Sequence, residues 1–148
     1  MKGVIIMDQN LELLNDVYEN AEMGRDTIKR LIKITEDDEF RKTMAYQFAE
    51  YQSVMDEARR IFISVGQSPR GIKGIARSSV NASIAINTAI DKTSTHLAEM
   101  IMQGCTMGII DMIKSIKHNP DASEEVRTLA EKLLATEENN MNIMKEHL

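Results

Sequence analysis

Apolar residues recur at intervals of three and four positions through almost the whole chain, and this spacing constrains the fold more than any other feature. Side chains three or four positions apart share one face of an α-helix, so each run predicts a helix with one buried stripe. Only two prolines, Pro69 and Pro120, interrupt the 148 residues. Aromatic residues, which favour strands, make up only 4%. The sequence therefore predicts an all-α fold.

A short acidic segment joins the first two predicted helices. Helix A is expected over residues 8–34, with Asp8 as its N-cap and residues 1–7 as an extension that could be disordered. Helix B follows the acidic residues of 35–39, which the positive end of a helix dipole favours. It ends before Gly66, a residue type suited to the position after a helix. A link this short between two long amphipathic helices predicts an antiparallel hairpin.

Residues 71–118 contain two apolar stripes in different phases, separated by the polar run 91–96. One helix of this length would measure about 70 Å at a rise of about 1.5 Å per residue, far longer than its neighbours. We therefore expect a break near residues 91–95, with an extra helical segment before it and helix C over 94–117. Helix C is apolar on nearly every side, which predicts that an oligomer interface covers its outer side.

The segment 119–121 is expected to end helix C and open helix D, with Pro120 at the first helical position. Residues 1–148 then form a single domain, which is long enough to bury a core without a disulfide. Cys105 is the only cysteine, so an intrachain disulfide is excluded. Because it lies in an apolar stretch, we expect a buried and unreactive thiol.

Charge and hydropathy limit the partners. The net charge of −5 opposes binding to phosphate backbones, so no nucleic-acid partner is expected. The basic residues that lie closest together are interpreted as solvated surface, with an anion-binding patch as the alternative; they are Arg59, Arg60, Arg70, Lys73 and Arg77. No run approaches the roughly 18 apolar residues of a membrane span, and the N-terminal apolar run is too short for a secretory signal. We expect a cytoplasmic protein with no membrane contact.

Several segments resemble the metal-binding helices of one family. Residues 21–25 (AEMGR) resemble its first-helix Glu segment, and residues 136–140 (TEENN) resemble its last-helix Glu-x-x-His segment. The family is the ferritin-like superfamily, in particular its rubrerythrin-type bundles. Residues 95–104 and 107–110 also look like parts of uncharacterised ferritin-like proteins of anaerobic Gram-positive bacteria. The resemblance implies an antiparallel four-helix bundle and brings no established activity.

The resemblance also implies a di-metal site, with a Glu on each of two helices and Glu-x-x-His on the other two. The candidate metal ligands are Glu22, His96, Glu99 and Glu137, with iron or manganese as the cofactor. This sequence departs from the motif where histidine is expected. Ser53 stands three positions after Glu50, and Asn140 stands three positions after Glu137.

The alternative interpretation of these residues is a polar cluster inside the bundle that needs no cofactor. Its members would be Gln47, Tyr51, His96, Gln103, Glu137 and Asn140. Buried polar groups require such partners, because an unsatisfied one costs about 1–3 kcal/mol. The methionines of helices C and D are then interpreted as adaptable core; they are Met100, Met102, Met107, Met112, Met141 and Met144.

Two functions remain open at this level. The first is a non-enzymatic bundle that acts through self-association, most simply as a homodimer, or through a protein partner. It would use the apolar outer side of helix C. The second is a degenerate di-metal oxidase or metal-binding protein that carries iron or manganese.

Overall fold

The computed structural model describes residues 2–72 and 74–148, and it describes only the backbone of residues 2, 5, 74–79 and 90. The described residues form five α-helices and no strand, which confirms the all-α prediction. The helices are α1 (Lys2–Ile34), α2 (Asp38–Ser64), α3 (Gly74–Ile90), α4 (Ser94–His118) and α5 (Glu124–Lys145). Within this described part, no helix combines the length and apolar character that crossing a bilayer requires.

Two predicted helix ends are wrong. α1 begins at Lys2, so Asp8 lies inside the helix and residues 2–7 continue it. No proline interrupts these residues, and the apolar side chains there are compatible with a helix; Met1 is outside the described residues. α5 begins after Ser123, whose side chain accepts a hydrogen bond from the Val126 N–H at 3.3 Å. Pro120 therefore lies in the turn before α5, since a proper N-cap residue follows it.

Other predicted boundaries are found in the structure. α2 is capped by Asp37, which accepts from the Phe40 N–H at 3.1 Å, and Gly66 follows the helix with a φ of +69°. That left-handed conformation favours glycine because a Cβ atom would be strained there. The break predicted near 91–95 lies at residues 91–93, where Thr93 caps α4 by accepting from the His96 N–H.

The four long helices α1, α2, α4 and α5 share one core. The directions of two pairs follow from hydrogen bonds between them. Along α1 and α4, Gln9 contacts Asp121 near one end and Asn20 donates to the Gly108 carbonyl near the middle. Along α2 and α5, the Tyr51 hydroxyl donates to Glu137 and Lys132 donates to Glu57. In both pairs the residue numbers run in opposite senses, so the helices are antiparallel.

The core is formed by the stripes that the sequence predicts. Its largest buried side chains include Leu13, Leu14, Leu31, Phe40, Met44, Met55, Phe62, Leu97, Met112, Leu133 and Met144. Full burial of each such side chain contributes about 1.5–3 kcal/mol. Met107 departs from the prediction because it lies on the outer side of α4 and is 67% exposed.

The short helix α3 lies against α1 and leaves a groove beside α4. Ile84 and Thr88 are its buried side chains among those described, whereas Ile86, which lies on the predicted apolar stripe of this segment, is 66% exposed. Ile75 and Ser79 of that predicted stripe lie outside the described side chains. The groove has a volume of about 820 Å³ and is lined by α1, α3, α4 and the segment before α3. Met23, Ile84, Met100 and Met107 supply much of its apolar wall.

Candidate functional site

A layer of polar side chains crosses the middle of the core. It consists of Gln47 and Tyr51 from α2, Cys105 from α4, and Glu137 and Asn140 from α5, and we call it the polar layer. All five residues are at most 3% exposed. The Tyr51 hydroxyl donates to Glu137 Oε2 at 2.7 Å, which joins residues 86 positions apart in the sequence. This confirms the predicted burial of Gln47 and Glu137.

Two glycines make room for this hydrogen bond. A Cβ atom on Gly24 would lie 2.6 Å from Cζ and 2.7 Å from Cε1 of the Tyr51 ring. A Cβ atom on Gly108 would lie 2.8 Å from Glu137 Oε1 and 3.0 Å from Asn20 Oδ1. A neighbouring helix therefore approaches α1 closely at Gly24, and α4 is approached in a similar way at Gly108.

Burial controls the protonation of the polar layer. It raises the pKa of Glu137 to about 7, while the neighbouring Tyr51 hydroxyl and Cys105 thiol oppose this rise. Burial, together with the Glu137 charge, also raises the pKa of Cys105 and of Tyr51 well above their usual ranges. Cys105 is therefore held as a thiol and Tyr51 as a phenol, while Glu137 can gain or lose a proton near neutral pH.

The second pair of polar side chains in the layer is not joined. Gln47 and Asn140 are 1% and 0% exposed, and neither the nitrogen nor the oxygen of either amide finds a hydrogen-bond partner among the described residues. Asn140 lies close enough to the Tyr51 hydroxyl to counteract the rise in the pKa of Tyr51, but its amide does not reach hydrogen-bond geometry. The predicted polar cluster is thus only partly connected.

The four candidate metal ligands are not brought together. Glu137 lies in the polar layer, whereas the Glu22 carboxylate accepts from the Ile72 N–H at 3.0 Å at the segment before α3. His96 and Glu99 lie near the start of α4, where His96 Nδ1 is 3.8 Å from Glu99 Oε2. His96 precedes Cys105 by nine positions, a rise of about 14 Å along the helix. The predicted ligands therefore occupy three separate places.

The residues present do not fit a di-metal centre. In the part of the chain that is described, no group of three or more His, Cys, Asp or Glu side chains could hold a metal ion. Glu137 faces the Tyr51 phenol and the Cys105 thiol, whereas a di-iron centre requires several carboxylates and imidazoles around its two ions. Glu50 is only partly buried, and burial raises the pKa of its carboxyl.

Some members of the site are not predicted from the sequence, and others are predicted wrongly. The burial predicted for Cys105 is confirmed, but the sequence does not predict that its thiol lies beside Glu137. Asn20 and Gly108 were not anticipated, although a small residue on an apolar helix signals close approach of another chain segment. Gln103 was expected in the cluster, but it is exposed beside the groove. The phase of α4 decides these positions, and an apolar helix gives little indication of its phase.

The outer side of α4 forms a second candidate site. Met107, Ile110 and Ile113 are 67%, 46% and 37% exposed and lie three positions apart, and we call them the α4 ridge. Met107 also lines the groove between α4 and α3. The acidic side chains on the far rim include Asp16 and Glu19, which pair with Arg70; the side chains of Lys73 and Arg77 lie outside the described set.

The chain matches no protein-family model, and no curated protein matches it. Its structure is similar to that of YcfI from Rhodopseudomonas palustris, which is described as a "putative structural protein". The TM-score is 0.62, the sequences are 14% identical, and the match covers 95% of this chain and 92% of that chain. At this identity the likeness supports the helical fold alone.

Proposed function

We propose that the chain is an antiparallel four-helix bundle of the ferritin-like kind, with α3 added, and that it acts by self-association rather than catalysis. The antiparallel contacts of α1 with α4 and of α2 with α5 support the bundle. The polar layer supports the ferritin-like assignment, because it lies between all four long helices, where that family builds its sites. A bundle of this kind would act through a contact surface on the outside of its helices and not through a metal site in its core.

The observation that carries this proposal is the exposed α4 ridge. Three large apolar side chains follow one another along a single helix face, and the groove continues the apolar surface beside them. Scattered apolar residues are normal on a protein surface, but a contiguous patch marks a contact. Other exposed apolar side chains, such as Tyr46 and Ile63 on α2, are separated from this patch by their position on another helix.

A second copy of this chain is the occupant that the surface fits best. The α4 ridge and the groove are convex and concave apolar features side by side on the same helix. A two-fold axis through α4 places each ridge over the other copy's groove, because in such an interface one patch meets itself. The ridge is flanked by one acid and one base, Asp111 and Lys114, so its two flanking charges balance.

The metal-binding alternative has less support from the geometry. It would need Glu22, His96, Glu99 and Glu137 to approach one another, and their contacts lie at three separate places. Iron or manganese bound at near-stoichiometric level in the purified protein would favour this alternative over self-association.

A substitution in the ridge tests self-association. We expect the wild-type chain to be a dimer at micromolar concentration, measured by light scattering after size-exclusion chromatography. Ile110→Lys should shift the protein to monomer, because each copy would have to bury a charged lysine against the apolar wall of the partner's groove. Its helical content should not change, since Ile110 is on the surface.

Ile63→Lys is the matched control, since Ile63 is 70% exposed on α2, away from the ridge. This variant should remain a dimer. A monomeric wild-type protein at tens of micromolar, or an Ile110→Lys dimer as stable as the wild type, would rule out the proposed interface.

A further inference from the structure

The interface of α2 and α5 carries polar side chains in successive turns, and only some of them meet. Lys132 donates to Glu57 at 2.9 Å at the surface, and Tyr51 donates to Glu137 at 2.7 Å in the core. Gln47 lies four positions before Tyr51 and Asn140 three positions after Glu137, so antiparallel helices place them in the next turn. Their amides form no hydrogen bond with each other or with another described residue.

The unpartnered atoms include both donors and acceptors. Each amide offers an N–H₂ group and a carbonyl oxygen, and all four heavy atoms lack a partner in the described part of the chain. A metal ion would satisfy the two oxygens but leave the nitrogens without an acceptor, and an anion would do the reverse. A water molecule donates and accepts, so it matches both groups at once.

We propose that Gln47 and Asn140 form a binding site for ordered water inside the core. One or more water molecules bridge the two amides in the turn next to the Tyr51–Glu137 hydrogen bond. This inference does not depend on self-association.

Magnetisation transfer from water to the side-chain amide protons tests the site in the ¹⁵N-labelled full chain. The Asn140 and Gln47 signals are assigned by their loss in Asn140→Leu and Gln47→Met. We expect direct cross-peaks between water and both amides. Tyr51→Phe is the control for relayed transfer, because the Tyr51 hydroxyl exchanges its proton with solvent; the cross-peaks should persist in that variant.

The same spectra distinguish water from an ion. Addition of a chelator, or of Fe²⁺, Mn²⁺ or Zn²⁺, should leave the positions and intensities of both amide signals unchanged. A chelator-dependent or metal-dependent change at Asn140 would overturn the proposal in favour of a bound ion. Absence of water cross-peaks at both amides, with a direct contact between the Gln47 and Asn140 protons, would overturn it in favour of a dry pair.

Discussion

Glu137 is a carboxyl group buried in the apolar core, where the Tyr51 hydroxyl and the Cys105 thiol are its polar partners. It is 2% exposed, and its Oε2 accepts from Tyr51 at 2.7 Å. Burial penalises the charged form more than this hydrogen bond favours it, so its pKa rises to about 7. Glu137, in the core, thus changes its protonation state near neutral pH.

The stability of the fold should fall as pH rises through this range. A carboxyl with a pKa near 4.5 when unfolded and about 7 when folded binds its proton more tightly in the native state. Its contribution is complete below about pH 4.5 and is lost by about pH 7, a change of about 3 kcal/mol. Cys105 and Tyr51, which face it, keep their protons throughout because both pKa values are raised.

Glu137→Gln should remove this dependence. Urea unfolding at pH 5 and pH 8 should show a smaller loss of unfolding free energy in the variant than in the wild type. Glu138→Gln, a change of the exposed neighbour on α5, is the control and should preserve the wild-type slope. Equal slopes in wild type and Glu137→Gln would show that Glu137 titrates normally.

Gly24 and Gly104 give opposite predictions for the same substitution. Gly24→Ala places a Cβ atom 2.6 Å from the rigid Tyr51 ring, so the ring must move away from Glu137. We expect a loss of about 1–3 kcal/mol in unfolding free energy. Gly104→Ala meets no described atom within 4 Å, and alanine favours a helix, so we expect a gain of about 0.5–1 kcal/mol. Chemical unfolding measures both, and a harmless Gly24→Ala would contradict the close approach.

At the scale of elements, α3 differs from the long helices. It packs mainly against α1, and few of its described side chains are buried. A segment with little buried surface opens more readily than the rest of a domain. We predict that its backbone amides exchange with deuterium at least about tenfold faster than those at the centre of α5. Equal protection in α3 and α5, measured by mass spectrometry or NMR, would refute this.

The helix boundaries show which local signals the sequence carries clearly. Gly66 follows α2 as predicted, because its left-handed φ angle is a local property that favours glycine. Asp37 and Thr93 cap α2 and α4 through side-chain acceptors, which is also a local property. Pro120 was assigned to the first turn of a helix, but it lies in the preceding turn since Ser123 caps α5. Proline suits both positions, so sequence alone does not separate them.

At the scale of the whole molecule, the helical fold was predictable and the site only in part. The stripes of α1, α2 and α5 identify which residues are buried, including Glu137 and Asn140. The partners of those residues depend on how α4 is rotated about its axis, and a helix that is apolar on most sides does not reveal this. The grouping of His96 and Glu99 with Glu137 comes from the family resemblance, and it is wrong because both residues lie near the start of α4, with His96 about 14 Å along the helix from Cys105.

The Tyr51–Glu137 hydrogen bond also affects how the N-terminal and C-terminal helix pairs align when they pack together. The α1–α2 and α4–α5 hairpins can each form from neighbouring residues, and apolar stripes tolerate sliding by one helical turn. Such a slipped arrangement would separate Tyr51 from Glu137 and enclose a carboxyl without its donor, which costs more than a lost surface contact. This one hydrogen bond thereby favours the correct alignment of the two apolar hairpins during folding.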